Sequence, residues 1–365
     1  MKVLVLSAYH ADSHRYWLDG LIAHLPTITW TVLSLPARYF SWRIRGNSLT
    51  WAMQQGELLS ASYDLVLATS MTDLSALRGL VPALSRIPTV VYFHENQFSY
   101  PPSTQQRDGV EPQILNLYTA LAADKVLFNS EYNRSTFLDG VDKLMVRLPD
   151  FAPRAEVAAR LENAAVLPVG IDLAPSINRS AGERLSVLWN HRWEYDKGPD
   201  RLLALVKECA KQDLAIDFYI AGQQFRHCPS EFAEIEALIL AIDSLSLCQW
   251  GYVSKPLDYS AMLSSCDVVL STAIHDFQGL SVLQAAAMGC VPVLPNRLCY
   301  PEWFGQNYLY QASDNLSVEA AACAMQLKTV LAQKRLGQLS PADVSMLSWD
   351  VLAPQYLIIF QSVGN

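Results

Sequence analysis

The feature that most narrows the fold is an alternation that runs through the chain twice. Short apolar runs at residues 3–7, 29–35, 65–69, 89–93 and 125–130 are each followed by a stretch with helical spacing, at 15–25, 49–60, 74–84, 113–123 and 131–138. A buried strand followed by an amphipathic helix is the repeating unit of a parallel sheet covered on both faces. The pattern lapses over residues 144–183, where an interdomain linker is expected, and then restarts. Strands are expected at 185–190, 216–222, 248–253, 267–272 and 291–294, with helices at 200–211, 231–244, 257–264 and 281–288. The chain therefore reads as α/β, with two doubly wound parallel-sheet domains at residues 1–170 and 171–345. A final helical stretch at 351–361 lies in a segment, 346–365, expected to pack back toward the first domain.

In sheets of this type ligands bind where strands end, at their C-terminal edges, and polar residues collect at several of these edges. The strand at 3–7 opens into Ala8-Tyr9-His10-Ala11-Asp12-Ser13-His14, and the strand at 89–93 runs straight into His94-Glu95-Asn96-Gln97. His94 suits a base or hydrogen-bond donor, with Glu95 to orient it; a histidine satisfied within the core is the competing reading. The strand at 125–130 ends in Asn129-Ser130. After the strand at 185–190 come Arg192 and, five residues on, Lys197 followed by Gly198. That spacing suits a clamp on a diphosphate, with the guanidinium as a fork and the ammonium as a point charge. The stretch 275–295, HDFQGLSVLQAAAMGCVPVLP, reads as loop, helix and buried strand, the helix opening at Gly279-Leu280 and stopping at Gly289. Its N-terminus would offer unpaired N–H groups and a positive dipole end to phosphate, and Gln284 would point toward the same place. An ordinary αβ unit of a parallel sheet fits the same letters.

Composition narrows the partners. A net charge of −8 argues against general electrostatic attraction to nucleic acid or anionic membrane. The exception is local: Pro36-Ala37-Arg38-Tyr39-Phe40-Ser41-Trp42-Arg43-Ile44-Arg45-Gly46 interleaves arginines with aromatics and holds no acid. It reads either as a surface loop anchored by its rings or as a face for phosphates and stacked bases. The seven cysteines show no CxxC pair and fit reduced thiols of a cytoplasmic protein. The apolar start at Met1 is short and reads as a first strand, not a leader, and no apolar run approaches membrane-spanning length.

The second half resembles the family 4 retaining glycosyltransferases of the GT-B fold. The resemblance rests on Arg192 with Lys197-Gly198, on Gly251-Tyr252-Val253, and on Asp276-Phe277-Gln278-Gly279-Leu280 followed by Leu283-Gln284-Ala285-Ala286-Ala287-Met288-Gly289. That family carries two glutamates eight residues apart, the first contacting the transferred sugar and the second the nucleotide ribose. This chain has Asp276 and Gln284 there. The shorter carboxylate can keep the first role, and Gln284 can still hydrogen-bond a ribose without charge. The first half is similar to the tRNA-queuosine mannosyltransferases, through Ser13-His14-Arg15-Tyr16-Trp17, the stretch from Leu35 to Gly46, Tyr92-Phe93-His94-Glu95-Asn96-Gln97 and Phe128-Asn129-Ser130.

These resemblances imply a GT-B architecture of two Rossmann-like domains facing across a cleft, a GDP-mannose donor, a queuosine-containing tRNA-Asp acceptor and no metal. They imply catalytic roles for His94, Asp276, Arg192 and Lys197, and donor contacts from Arg192, Lys197, Asp276, Phe277, Gln278, Gly279, Leu280 and Gln284. They imply an acceptor face of His10, Ser13, His14, Arg38, Trp42, Arg43, Arg45, Glu95, Asn96, Gln97, Asn129 and Ser130. Two other functions stand beside this one. One is a GT-B transferase acting on a glycan, lipid or small molecule, which the acidic net charge favours. The other is a non-catalytic sugar-nucleotide or RNA-binding module, which Asp276 and Gln284 favour.

Overall fold

The computed structural model describes residues 1–100, 110–174, 180–225 and 228–364. Part of the expected linker, residues 175–179, lies outside them. The chain divides into two compact units: residues 1–170 with 349–365, and residues 171–348.

Each unit is built on a six-stranded parallel sheet. In the first, β1 (Lys2–His10), β2 (Thr29–Pro36), β3 (Leu65–Thr69), β4 (Thr89–Phe93), β5 (Lys125–Phe128) and β6 (Ala165–Val166) lie in the order β2-β1-β3-β4-β5-β6. In the second, β7 (Leu185–Asn190), β8 (Ile216–Ala221), β9 (Leu245–Gly251), β10 (Val268–Leu270), β11 (Val291–Pro295) and β12 (Leu309–Tyr310) lie in the order β12-β11-β10-β7-β8-β9. Every residue of β3, β4, β10 and β11 is buried, as continuous apolar strands between two helical layers must be. Each fully buried Val, Leu or Phe there contributes roughly 1.5–3 kcal/mol over leaving it exposed.

The strand order fixes where a ligand can sit. In the first sheet the chain winds one way from β1 to β2 and the other way from β3 onward, so the switch point lies between β1 and β3. In the second it lies between β7 and β10. Such a reversal sends the flanking connections to opposite faces and leaves a crevice at the C-terminal edge.

The helices depart from the sequence reading in instructive ways. The arginine–aromatic segment is not a loop: a helix, Phe40–Gln54, begins inside it and ends short of residue 60, with a separate turn at Gly56–Leu59. The helix from Glu131 continues to Arg147, because Val141, Leu144 and Met145 keep burying one face. Helix Leu316–Arg335 was not foreseen. Its inward positions include Ala320, Cys323 and Ala324, whose small side chains make a weak amphipathic signal. The last helix, Trp349–Gly364, belongs to the first unit. Its Trp349 ring lies over Gly20 and Gly170, where an added Cβ would come within 2.1 and 2.4 Å of it. The Tyr356 hydroxyl accepts the Trp17 indole N–H at 3.1 Å.

Candidate functional site

The second unit concentrates its polar chemistry at its switch point. β7 delivers the loop that carries His191, Arg192, Asp196 and Lys197; β10 delivers Ser271 to Gly279. Lys197 is buried, and its Nζ donates to the His275 carbonyl at 2.7 Å while standing 3.3 Å from Asp196 Oδ2. The backbone N–H groups of Ile274 and His275 both donate to the Asp196 carbonyl, tying the two loops together. Gly198 enters the next helix with φ of 66°, and an added Cβ would lie 2.2 Å from the Thr272 carbonyl oxygen. Only glycine permits that approach.

Asp276 is held on both oxygens. Oδ1 accepts from the Gly279 N–H at 3.2 Å and Oδ2 from the Tyr300 hydroxyl at 3.1 Å. Burial alone would raise its pKa, but above all the charge of Lys197 outweighs burial and holds the carboxyl below its ordinary value. Asp196 follows the same logic: burial opposes ionisation, Lys197 overrides it, and the carboxyl is held far below the usual range. Both are therefore carboxylates at neutral pH. Gly279, at φ 72°, caps helix Leu280–Ala287 without any side-chain cap. The first N–H groups of that helix have no intrahelical acceptor. Phe277 and Gln278 are buried in the loop before it, and Gln284 is half-buried on its second turn. Arg192 is half-exposed, with Nη1 at 3.0 Å from Glu194 Oε2. The expected donor residues thus gather on two adjoining loops and one helix start.

In the first unit, His10 ends β1, His14 lies in the first turn of helix Asp12–His24, and His94 follows β4. The rings of His14 and His94 are 4.1 Å apart, and Trp17 and Tyr92 close in on His94 at 4.8 and 4.7 Å. Burial first, then the positive charge His14 and His10 would carry, pushes His94 well below its ordinary pKa, so it is a neutral imidazole. Its Nε2 is buried with no hydrogen-bond partner. His10 is lowered too, chiefly by burial, and its Nδ1 shares a hydrogen bond with Ser7 Oγ. Glu95 Oε1 stands 3.7 Å from His14 Nε2, and Ser13 is exposed beside them.

Other residues of the expected acceptor face make hydrogen bonds within the protein. Asn96 Nδ2 donates to the Asn133 carbonyl, to Asn133 Oδ1 and to Thr136 Oγ1, while its Oδ1 accepts from the Phe98 N–H. Asn129 donates to the His94 carbonyl and accepts from Asn133, and Ser130 caps the following helix by accepting from the Asn133 N–H. The Gln97 N–H is held by Asn116 Oδ1 and its side chain approaches Met71 Sδ at 3.8 Å. These residues lock the loop that presents His94. Arg43, expected on the acceptor face, is buried. Helical spacing turns Arg43, Ile44, Asn47 and Trp51 inward, whereas Arg38, Tyr39, Trp42 and Arg45 are exposed. Arg45 pairs with Asp73 at 3.1 Å and Glu111 at 3.2 Å, and the Arg38 guanidinium stands 5.4 Å from the centre of the Tyr39 ring.

Sequence reasoning assigned no role to Asn190, His191 or Glu319. Asn190 Nδ2 donates to the Ser281 carbonyl and the Tyr259 hydroxyl, both at 3.0 Å. Glu319 accepts from Arg201, from both Nη atoms of Arg297 and from the Ser313 N–H; Arg297 in turn donates to the Ala273 carbonyl just before Asp276. Their partners lie from 6 to 118 residues away in sequence, so no local motif betrays them.

Two parallel six-stranded units, each with polar groups at its switch point, form the GT-B fold. The fold is shared with Anabaena HepE, solved in complex with UDP and glucose, at a TM-score of 0.67 and 15% identity over 99% of this chain and 100% of that one. It is shared also with an E. coli trehalose-6-phosphate structure bound with UDP-2-fluoro glucose, at 0.66 and 14% over 100% and 99%. Residues 172–329 match the family of glycosyl transferases group 1, and residues 2–171 match the tRNA-queuosine alpha-mannosyltransferase N-terminal domain. The chain is 30% identical over 373 residues to the tRNA-queuosine alpha-mannosyltransferase of Drosophila melanogaster, spanning 98% of this chain and 96% of the relative. It belongs to the tRNA-queuosine alpha-mannosyltransferase family. Among the described residues, no helix is long and apolar enough to cross a membrane.

Proposed function

We propose that this chain transfers mannose from GDP-mannose to the queuosine base of tRNA-Asp, with retention at the sugar carbon and without a metal, in the cytoplasm. The observation that carries the reading is the gathering of Lys197, Asp276 and the start of helix Leu280–Ala287 at the switch point of the second sheet, in a chain of this family. The helix start and Lys197 would stabilise the diphosphate as it leaves, with Arg192 at the rim. In the transfer, the bond from the sugar carbon to the diphosphate oxygen breaks and a bond to an acceptor hydroxyl oxygen forms on the same face. The acceptor proton passes to the departing diphosphate. Positioning and charge stabilisation supply most of the rate.

On the first unit, the exposed residues around the start of helix Phe40–Gln54 support an RNA acceptor. Arg38, Tyr39 and Trp42 are exposed there, and residues 38–54 hold no acid although the chain is acidic overall. Arginines neutralise phosphates and exposed rings stack on unpaired bases. Mass spectrometry of queuosine-containing tRNA after incubation with the protein and GDP-mannose tests the reading: a hexose added to the base is expected. Transfer to a glycan or small molecule with no change in the tRNA overturns the acceptor, and transfer from UDP-sugar alone overturns the donor.

A further inference from the structure

Two consecutive side chains at the end of β7 each keep a buried polar atom without a protein partner: Asn190 Oδ1 and His191 Nε2. Both residues are more than nine-tenths buried, Asn190 at 6% and His191 at 4% exposure. A buried polar group left unsatisfied costs about 1–3 kcal/mol, so two in succession at a switch point indicate a place kept for a ligand's polar atoms.

The backbone here is rigidly set. The His191 carbonyl lies against Gly222, where an added Cβ would be 1.7 Å away, and the Trp193 N–H donates to the Gln223 carbonyl at 2.9 Å. The imidazole meets the Trp189 ring edge-on at 5.1 Å. Asn190 is oriented by its two donated bonds, one of them to Ser281 in the first turn of helix Leu280–Ala287. The pair therefore stands beside the helix start that the donor reading assigns to the diphosphate.

The charges around this place do not suffice for a diphosphate. Lys197 lies 3.3 Å from Asp196, Arg192 lies 3.0 Å from Glu194, and Asp276 adds a further carboxylate. The groups that act on His191 are Lys197, Arg192 and Asp196 from its own loop and Asp276 from the loop after β10; the β8 edge offers Gly222 and Gln223, which carry no charge. Two cations against three carboxylates leave the subsite short of positive charge when a polyanion enters. We propose, resting on the donor-site reading, that His191 completes the diphosphate subsite and takes up a proton from solvent at Nε2 when a nucleoside diphosphate binds. In the free protein, burial above all, then Lys197, lowers the imidazole to about 4, so it is neutral at pH 7. An adjacent diphosphate reverses the field and restores the imidazolium, which then donates a charge-assisted hydrogen bond.

Isothermal titration of the full chain with GDP, near pH 6 and in buffers of different ionisation enthalpy, tests this. If the anion raises the imidazole by about 2 units, wild type takes up about half a proton near pH 6 and almost none near pH 8. A phosphate binding beside fixed cations would release protons instead, so the sign discriminates. His191→Gln should bind GDP about tenfold more weakly, as loss of one charge-assisted bond implies, and without uptake. Zero uptake or proton release by wild type overturns the proposal, as does uptake undiminished in His191→Gln. Should that variant fail to fold, the wild-type pH series decides alone. Failure of the wild type to bind either GDP or UDP overturns the donor-site reading itself, and this inference with it.

Discussion

Glu319→Gln probes the buried network behind the candidate donor site. The carboxylate is 3% exposed and receives both Nη atoms of Arg297 at 2.8 Å, Arg201 at 3.0 Å and the Ser313 N–H at 2.8 Å. Arg201 and Arg297 are themselves only 13% and 20% exposed. Glutamine keeps the volume but replaces one acceptor oxygen by a donor and removes the negative charge, leaving two guanidiniums facing each other across it. Removing one partner of a buried ion pair costs about 3–5 kcal/mol. For a unit of this size each kcal/mol lowers Tm by about 2–4 °C, giving a loss of about 6–20 °C. The consequence reaches the site, because Arg297 Nε donates to the Ala273 carbonyl at 2.9 Å and steadies the loop after β10 that carries Asp276. GDP affinity should therefore fall along with Tm. Differential scanning calorimetry with and without GDP reads both. A Tm within 2 °C of wild type would refute the idea that Glu319 is the counter-charge of this network.

Three further expectations follow from the same geometry. If Lys197 stands beside the leaving diphosphate, as proposed, Lys197→Met should lower mannose transfer by about 10²–10³-fold, the scale of losing one transition-state donor; radiolabelled transfer assays measure it, and normal turnover would assign Lys197 a purely structural role. His94 has a folded pKa well below its unfolded value of about 6.5, so its contribution to stability is full above pH 6.5 and declines as pH falls below it, because the unfolded chain binds the proton first. Urea midpoints measured from pH 7.5 down to 5 should fall less steeply in His94→Gln than in wild type; parallel profiles would contradict a neutral buried His94. On the exposed segment at the start of helix Phe40–Gln54, Trp42→Ala should cost about 1–3 kcal/mol of tRNA affinity if a base stacks there, and Arg38→Ala should flatten the salt dependence of binding by about one charge. Filter binding across a salt series reads both, and unchanged affinity and slope would remove this face from the acceptor site.

Much of the architecture was legible in the sequence because buried parallel strands have a local signature. Val66-Leu67-Ala68, Val90-Val91-Tyr92 and Val268-Val269-Leu270 must be apolar on both faces, and the alternation with helices follows from covering them. Gly279 announced a tight entry into a helix and adopts positive φ, as does Gly198 before the helix that follows β7. The start of the helix at Gly279-Leu280 was legible in the same way, whereas the adjacency of β7 and β10, which brings Lys197 near Asp276, was not.

Tertiary structure alone decided the rest, because it depends on which distant groups meet. Arg43 is as charged as Arg38 and Arg45, yet the helix that begins at Phe40 turns it inward and leaves them out. Asn96 and Asn129 look like site residues from their place after a strand, but Asn133 occupies their amides. Asp276 stands at the motif position of a sugar-contacting carboxylate, and Tyr300 and the Gly279 N–H restrain it. In the sequence Asn190 is the end of a strand and His191 the start of a polar loop, and neither stands out. Their significance lies in what surrounds them: a burial deep enough to keep an imidazole neutral, and two polar atoms that the fold leaves unpaired. Sequence periodicity reports which face of an element is apolar. It does not report which polar groups, brought together from distant parts of the chain, satisfy one another, and that remainder is what selects the residues able to meet a ligand.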